Sequence, residues 1–122
     1  MPSSTAKAID STVLQEFRSQ GLSSGPGDFV PQLIDEYLLD ASAHMATIHD
    51  AIARRDAPSL ARATHSLKGS SSAVGAIGMA AMCDRLEQLA RAATLDTTPA
   101  LVSSLESEFA RVREDLHLEQ TS

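Results

Sequence analysis

The chain has 122 residues and a formal net charge of −6, from 16 acidic and 10 basic side chains. This length fits one domain, and the acidic balance without a basic stripe argues against nucleic acid and anionic membranes as partners. The single cysteine, Cys83, excludes an internal disulfide, and no apolar run approaches the roughly 20 residues of a membrane span. We therefore expect a cytoplasmic protein.

Apolar residues at helical spacing predict one short helix and four longer ones. Asp10 or Ser11 caps the short helix, which stops before Gly21, and Gly25-Pro26-Gly27 predicts a loop. Asp28 then caps the first of the long helices. The long helices are predicted over about residues 29–54, 58–74, 79–93 and 98–118.

Short connections between these helices favour an all-α fold, an antiparallel up-down four-helix bundle with a short additional N-terminal helix. The expected bundle domain covers residues 10–118. We expect flexible tails at residues 1–9 and 119–122.

The helix over residues 58–74 has an unusual outer face. Its apolar stripe is formed by Leu60, Ala63, Leu67, Ser71 and Val74. His65 points about 160° away from the middle of that stripe, and Gly69 lies one turn further on. Glycine in a helix interior lowers helix stability by about 1 kcal/mol relative to alanine, so a glycine at position 69 calls for an explanation. We predict that it gives a bulky partner access to the His65 ring.

The other candidate sites lack the residue spacing that a metal site, a phosphate-binding loop or a serine nucleophile requires. A metal site is not indicated, because His44 and His49 lie on different faces of one helix and no cysteine or carboxylate completes a ligand set with them. His117 lies in the last turn of the final helix, where a histidine can interact favourably with the C-terminal end of the helix dipole. Lys68 precedes Gly69, which is not the order of a phosphate-binding loop. The serines at positions 70–72 lack a Gly-x-Ser-x-Gly elbow. Cys83 lies on a predicted core stripe, where a small hydrophobic residue is expected.

His65 is the remaining candidate, as a nucleophile that accepts a phosphoryl group. Neutral histidine is well populated at pH 7, because the reference pKa of the imidazole is about 6.5. Lys68, three residues on, shares the helix surface and can offset the charge of an arriving phosphoryl group. Phosphoryl transfer requires in-line positioning and charge stabilisation, which a partner carrying the donor and a metal ion could complete.

These residues resemble the histidine-containing phosphotransfer family of two-component phosphorelays. The family pattern is matched by His65-Ser66-Leu67-Lys68-Gly69-Ser70 followed by Gly75-Ala76, and the next helix by Met82-Cys83-Asp84-Arg85-Leu86-Glu87. Thr64 departs from the alanine that commonly precedes the histidine, but it borders the core and should be tolerated.

The resemblance implies that His65 is phosphorylated, with Lys68 and Gly69 as working neighbours and Arg91 as an additional cation. The implied partners are receiver domains of a hybrid histidine kinase and of a response regulator. Magnesium would belong to the receiver, and this chain would bind no cofactor or metal itself. We expect a monomer without autonomous kinase activity.

The small-residue face around His65 is the predicted docking surface. Its expected members are Ala61, Arg62, Ser72, Ala73, Ala76 and Arg91. A helical adaptor that is never phosphorylated is the alternative, and an autonomous enzyme is a weaker one, since no nucleotide motif is present. The sequence leaves open a free-standing protein or the cytoplasmic terminal domain of a membrane-bound kinase.

Overall fold

A computed structural model describes residues 7–17, 19 and 30–121. Within these ranges the chain forms five α-helices and no strand. The helices are α1 (Ser11–Phe17), α2 (Val30–Ala53), α3 (Ala57–Ala73), α4 (Ile77–Arg91) and α5 (Thr98–Thr121). The predicted Gly25-Pro26-Gly27 loop and the Asp28 cap lie outside the described residues, as do residues 1–6 of the expected N-terminal tail.

The four longer helices form the predicted bundle. α3 packs most extensively on α4 and also on α2, and α5 closes the bundle against α2 and α4. Consecutive helices are joined by short loops, which is the arrangement of an antiparallel up-down bundle. No helix in the described part of the chain has the length and apolar character needed to cross a membrane.

The buried stripe of α3 is the one that its sequence predicts. Leu60, Ala63, Leu67 and Ser71 are buried along α3, and Val74 continues the stripe just beyond the helix. Thr64 is also buried, and its hydroxyl donates to the carbonyls of Leu60 (2.8 Å) and Ala61 (3.1 Å). The hydroxyl is thus satisfied within the helix, and the predicted tolerance for threonine before His65 has a structural reason.

Both ends of α3 are fixed by local sequence. Asp56 caps its N-terminus, because one carboxylate oxygen accepts from the Ser59 backbone N–H (3.1 Å) and the other from the Ser59 hydroxyl (2.7 Å). Gly75 ends the helical path with a φ of +83°, and its carbonyl accepts from the Asp10 backbone N–H (2.8 Å). Since Asp10 also accepts from Thr12 at the start of α1, α1 is held against the C-terminal end of α3.

A buried polar contact fixes α3 against its two neighbours. The Tyr37 hydroxyl of α2 lies 2.8 Å from the Ser71 hydroxyl of α3 and donates to the Met79 sulfur of α4 at 3.4 Å. Burial raises the pKa of Tyr37 to about 12, so the phenol stays protonated at neutral pH. The three helices are therefore held in register through one hydroxyl.

Described residues near both ends of the chain contact the bundle. Ala8 and Ile9 are buried, and the Ala8 backbone N–H donates to Asp115 of α5 (2.6 Å). α5 includes residues 119–121, and Gln120 donates to the Pro31 carbonyl (3.0 Å) and to Asp35 (2.7 Å) of α2. Within the expected tails at residues 1–9 and 119–122, the described residues Ala8, Ile9 and Gln120 thus contact the bundle, although their segments carry no clear apolar periodicity.

Candidate functional site

His65 lies midway along α3 on the side away from the buried stripe. Its side chain is 63% exposed, which confirms the predicted orientation of the ring. α3 itself is held on three sides by α2, α4 and α1, so the imidazole extends from a rigid support. An exposed ring on a fixed helix can meet a macromolecular partner without rearrangement of the bundle.

Glu87 of α4 is the centre of the polar contacts around this ring. Its carboxylate oxygens lie 3.1 Å and 3.3 Å from Nδ1 of His65. Lys68 donates to it through Nζ at 2.8 Å, and Arg91 donates through Nη2 at 2.6 Å and Nε at 3.0 Å. The Glu87 side chain is only 7% exposed, so a nearly buried carboxylate joins two cations and the imidazole.

The charge state of Glu87 follows from these partners. The hydrogen bond from Lys68 is the largest cause that lowers the pKa of Glu87, burial opposes it, and Arg91 lowers it further, to about 2. The hydrogen bonds to Glu87 and to Asp84 raise the pKa of Lys68 above its ordinary value. Glu87 is therefore ionised and Lys68 protonated at neutral pH.

The ionised carboxylate determines which nitrogen of His65 carries the proton. An ionised carboxylate accepts hydrogen bonds and cannot donate them, so Nδ1 must hold the hydrogen in the contact with Glu87. In the neutral ring, Nε2 then has the free lone pair. No described residue forms a hydrogen bond with Nε2, and this nitrogen is the nucleophilic atom that the arrangement presents.

Gly69 leaves the space beside the ring empty. A Cβ atom added at this position would meet no atom within 4 Å, so packing inside the described chain does not require a glycine there. A glycine in the interior of α3 nonetheless costs about 1 kcal/mol in helix stability. The open space at position 69 is compatible with the access of a partner, which stays a prediction.

Lys68 has a second acidic partner on α4. Its Nζ lies 3.2 Å from Oδ1 of Asp84, and the other oxygen of Asp84 accepts from the Gln88 amide at 2.8 Å. The Lys68 side chain is 30% exposed and that of Asp84 is 48% exposed. Lys68 thus bridges two carboxylates that differ in their contact with water.

The predicted docking residues divide into exposed and buried ones. The exposed ones are Arg62, Ser72, Ala73 and Arg91. Ala61 and Ala76 are buried, so the predicted exposure of these two residues is wrong, and their part in docking stays a prediction. Ala61 of α3 and Ala90 of α4 line one shallow surface groove together with Arg91. Ala76 lies beyond the turn at Gly75, where helical geometry no longer predicts orientation.

The other candidate residues have the structural roles predicted for them. Cys83 is buried, and burial raises the pKa of its thiol to about 12. The His44 ring lies 3.4 Å from Asp40, and the His49 ring lies 2.7 Å from Glu106 at the surface. His117 is exposed one turn before the end of α5. The described residues contain no cluster of three potential metal ligands.

Sequence reasoning singled out His65, Lys68, Gly69 and Arg91 but gave Glu87 no part in the site. Glu87 appeared only as the last residue of the pattern matched on α4. The available signal was its spacing, since Arg91 follows it by four residues, where an ion pair on one helix face is expected. The contact with His65 depends on how α3 and α4 pack.

Comparisons with known proteins identify the family of the chain. The sequence model of the Hpt domain family matches residues 32–115, which extend from α2 into α5 and include His65. The chain belongs to the Hpt domain family, and this membership supports a histidine phosphotransfer role in a phosphorelay.

A solved structure supports the same assignment over nearly the whole chain. The protein is similar to histidine-containing phosphotransfer protein B (HptB) from Pseudomonas aeruginosa PAO1, with 33% sequence identity and a TM-score of 0.84. The match covers 96% of this chain and 97% of that chain. A search of curated protein sequences gives no match.

Proposed function

We propose that this protein is a phosphorelay intermediate that carries a phosphoryl group on Nε2 of His65. The donor is the phospho-aspartate of a receiver domain in a hybrid histidine kinase, and the acceptor is the aspartate of a response-regulator receiver. The observation that carries the proposal is the contact of Nδ1 with the ionised Glu87. That contact leaves the Nε2 lone pair available on an exposed ring.

The transfer step requires no additional acid or base. The Nε2 lone pair attacks phosphorus, a nitrogen–phosphorus bond forms, and the bond from phosphorus to the aspartyl oxygen breaks with its electrons. The receiver keeps a carboxylate, and the His65 ring becomes a cation that retains its proton on Nδ1. Glu87, 3.1 Å from that nitrogen, stabilises the positive charge that develops on the ring.

Lys68 and Arg91 supply positive charge near the place where the phosphoryl group arrives. Both contact Glu87 and both reach solvent, so either can turn toward a phosphoryl oxygen without moving the helices. Charge-assisted hydrogen bonds from such donors stabilise the loose transition state of phosphoryl transfer. We assign the magnesium ion that assists the reaction to the receiver domain.

The receiver would dock over the exposed face of α3. Ser72 and Ala73 line a shallow groove with Val13 and Phe17 of α1, about two helical turns from His65. Small and apolar groups there allow close approach, while the cations beside His65 face the acidic pocket of the receiver. We include Arg62 and Arg91 in this docking surface on the same electrostatic ground.

The test uses a phosphorylated receiver and the His65→Gln variant. We expect the unmodified chain to accept labelled phosphate that is labile in acid and stable in base, and His65→Gln to accept none. His49→Gln is the matched control, because His49 is also an exposed imidazole paired with a glutamate. If His65→Gln accepts label as well as the unmodified chain does, the assignment is wrong, and an adaptor without phosphorylation becomes the better description.

A further inference from the structure

We infer that Asp84 is a positioning residue that holds Lys68 away from the phosphoryl group and so shifts the transfer equilibrium from His65 toward the receiver. The inference rests on the proposed function, because it concerns how the phosphoryl group is shared between the two proteins. It assigns a regulatory effect to a residue that does not contact the imidazole.

The resting site is balanced in charge. Two cations, Lys68 and Arg91, face two carboxylates, Glu87 and Asp84, in one connected group beside His65. A phosphoryl group brings a charge of about −1.5 to −2. The two carboxylate contacts, to Glu87 and Asp84, fix where Nζ of Lys68 lies, so movement of Nζ toward the phosphoryl group lengthens at least one of them.

The contact of Lys68 with Asp84 is the one that competes with a contact between Lys68 and the phosphoryl group. Glu87 is 7% exposed and is held by three partners, so the cost of leaving it unpaired is high. Asp84 is 48% exposed, and water can replace Lys68 around it. The Gln88 amide, 2.8 Å from the other oxygen of Asp84, keeps that carboxylate oriented toward Lys68.

Removal of the Asp84 charge therefore has two effects of the same sign. Lys68 becomes free to turn toward the phosphoryl oxygens, and a negative charge that repels them disappears. Both effects favour phosphohistidine over the phospho-aspartate of the receiver. From the range measured for exposed ion pairs, we expect the equilibrium ratio to change about two- to fivefold.

The experiment measures an equilibrium and not a rate. Asp84→Asn and the unmodified chain are each mixed with an equimolar labelled receiver, and the ratio of phosphohistidine to phospho-aspartate is read after it becomes constant. We expect Asp84→Asn to raise this ratio and Asp84→Glu, which keeps the charge, to leave it near that of the unmodified chain. The rise should shrink at high salt, where charge interactions are screened.

Two controls identify the cause. Asp50→Asn removes a charge from an exposed carboxylate paired with Arg54 on α2 and should leave the ratio unchanged. In a Lys68→Gln background, Asp84→Asn should have a smaller effect, because the residue through which it acts is gone. Thermal unfolding of each variant checks that the bundle is intact.

The outcomes separate this inference from the proposed function. An unmodified chain that accepts label while Asp84→Asn leaves the ratio unchanged, or lowers it, overturns the inference alone. An unmodified chain that accepts no label on His65 overturns the proposed function and the inference with it.

Discussion

Substitution of Gly69 should make the protein more stable and a poorer phosphoryl carrier. A Cβ at this position meets nothing within 4 Å, so Gly69→Ala creates no clash. It removes the intrinsic cost of glycine in a helix interior, about 1 kcal/mol. For a chain of this length, that gain raises the melting temperature by roughly 4 °C.

The effect on transfer should have the opposite sign. Side chains on an α-helix lean toward its N-terminus, so a side chain at position 69 covers the turn that carries His65. We expect Gly69→Ala to slow transfer slightly and Gly69→Leu to slow it about tenfold or more, which corresponds to about 1.4 kcal/mol in the barrier. The loss should appear for donor and acceptor receivers alike, because both approach the same ring.

The assay pairs thermal unfolding with the rate of transfer from a phosphorylated receiver. Ser107→Leu is the matched control, since Ser107 is an exposed small residue on α5, which packs on α2 and α4. We expect this control to transfer at the rate of the unmodified chain. A Gly69→Leu protein that is folded and transfers at the unmodified rate would refute the access argument.

Three further substitutions or treatments test the bundle. Gly75→Ala should lower the free energy of unfolding, measured in urea, by about 1–3 kcal/mol, because the backbone φ at position 75 is +83° and the new Cβ would lie 2.7 Å from the Asp10 carbonyl oxygen. An unchanged free energy of unfolding would contradict this prediction. The Cys83 thiol, with a pKa of about 12 from burial, should react with a thiol reagent at pH 8 only after unfolding; rapid labelling of the native protein would contradict its burial. The pKa of Glu87 is lowered from 4.5 to about 2 in the folded state, so the stability that its charge contributes is present above pH 4.5 and is lost as the pH falls toward 2. The difference in free energy of unfolding between the unmodified chain and Glu87→Gln should shrink in that window, and a difference that stays constant would count against the ionised state.

The fold was largely readable from the sequence because its signals are local. The stripe from Leu60 to Val74 repeats at helical spacing, and every predicted member of it is buried. Pro58 follows the Asp56 cap, and Gly75 supplies the left-handed turn, so the limits of α3 were predicted within one residue. Each of these features depends on residues within a few positions of one another.

The predictions that failed involve contacts between distant segments. A helical wheel places Ala61 on the outer side of α3, but it does not show that α4 packs closely enough to cover that alanine. The same wheel was extended to Ala76, beyond the point where α3 ends. Ala8 and Gln120, which lie in segments expected to be flexible, form hydrogen bonds to α5 and α2.

Glu87 shows why the chemistry of the site also required the fold. A glutamate four residues before an arginine on an amphipathic helix is expected to be a solvated ion pair, worth a few tenths of a kcal/mol. Here α4 brings it under His65, 22 positions earlier, with its side chain 7% exposed. A carboxylate this far from water is costly unless donors satisfy it, and Lys68, Arg91 and Nδ1 of His65 do so together. Because the same contacts that stabilise the buried charge also place the ring proton on Nδ1, the stability of the α3–α4 interface and the nucleophilicity of Nε2 depend on one group.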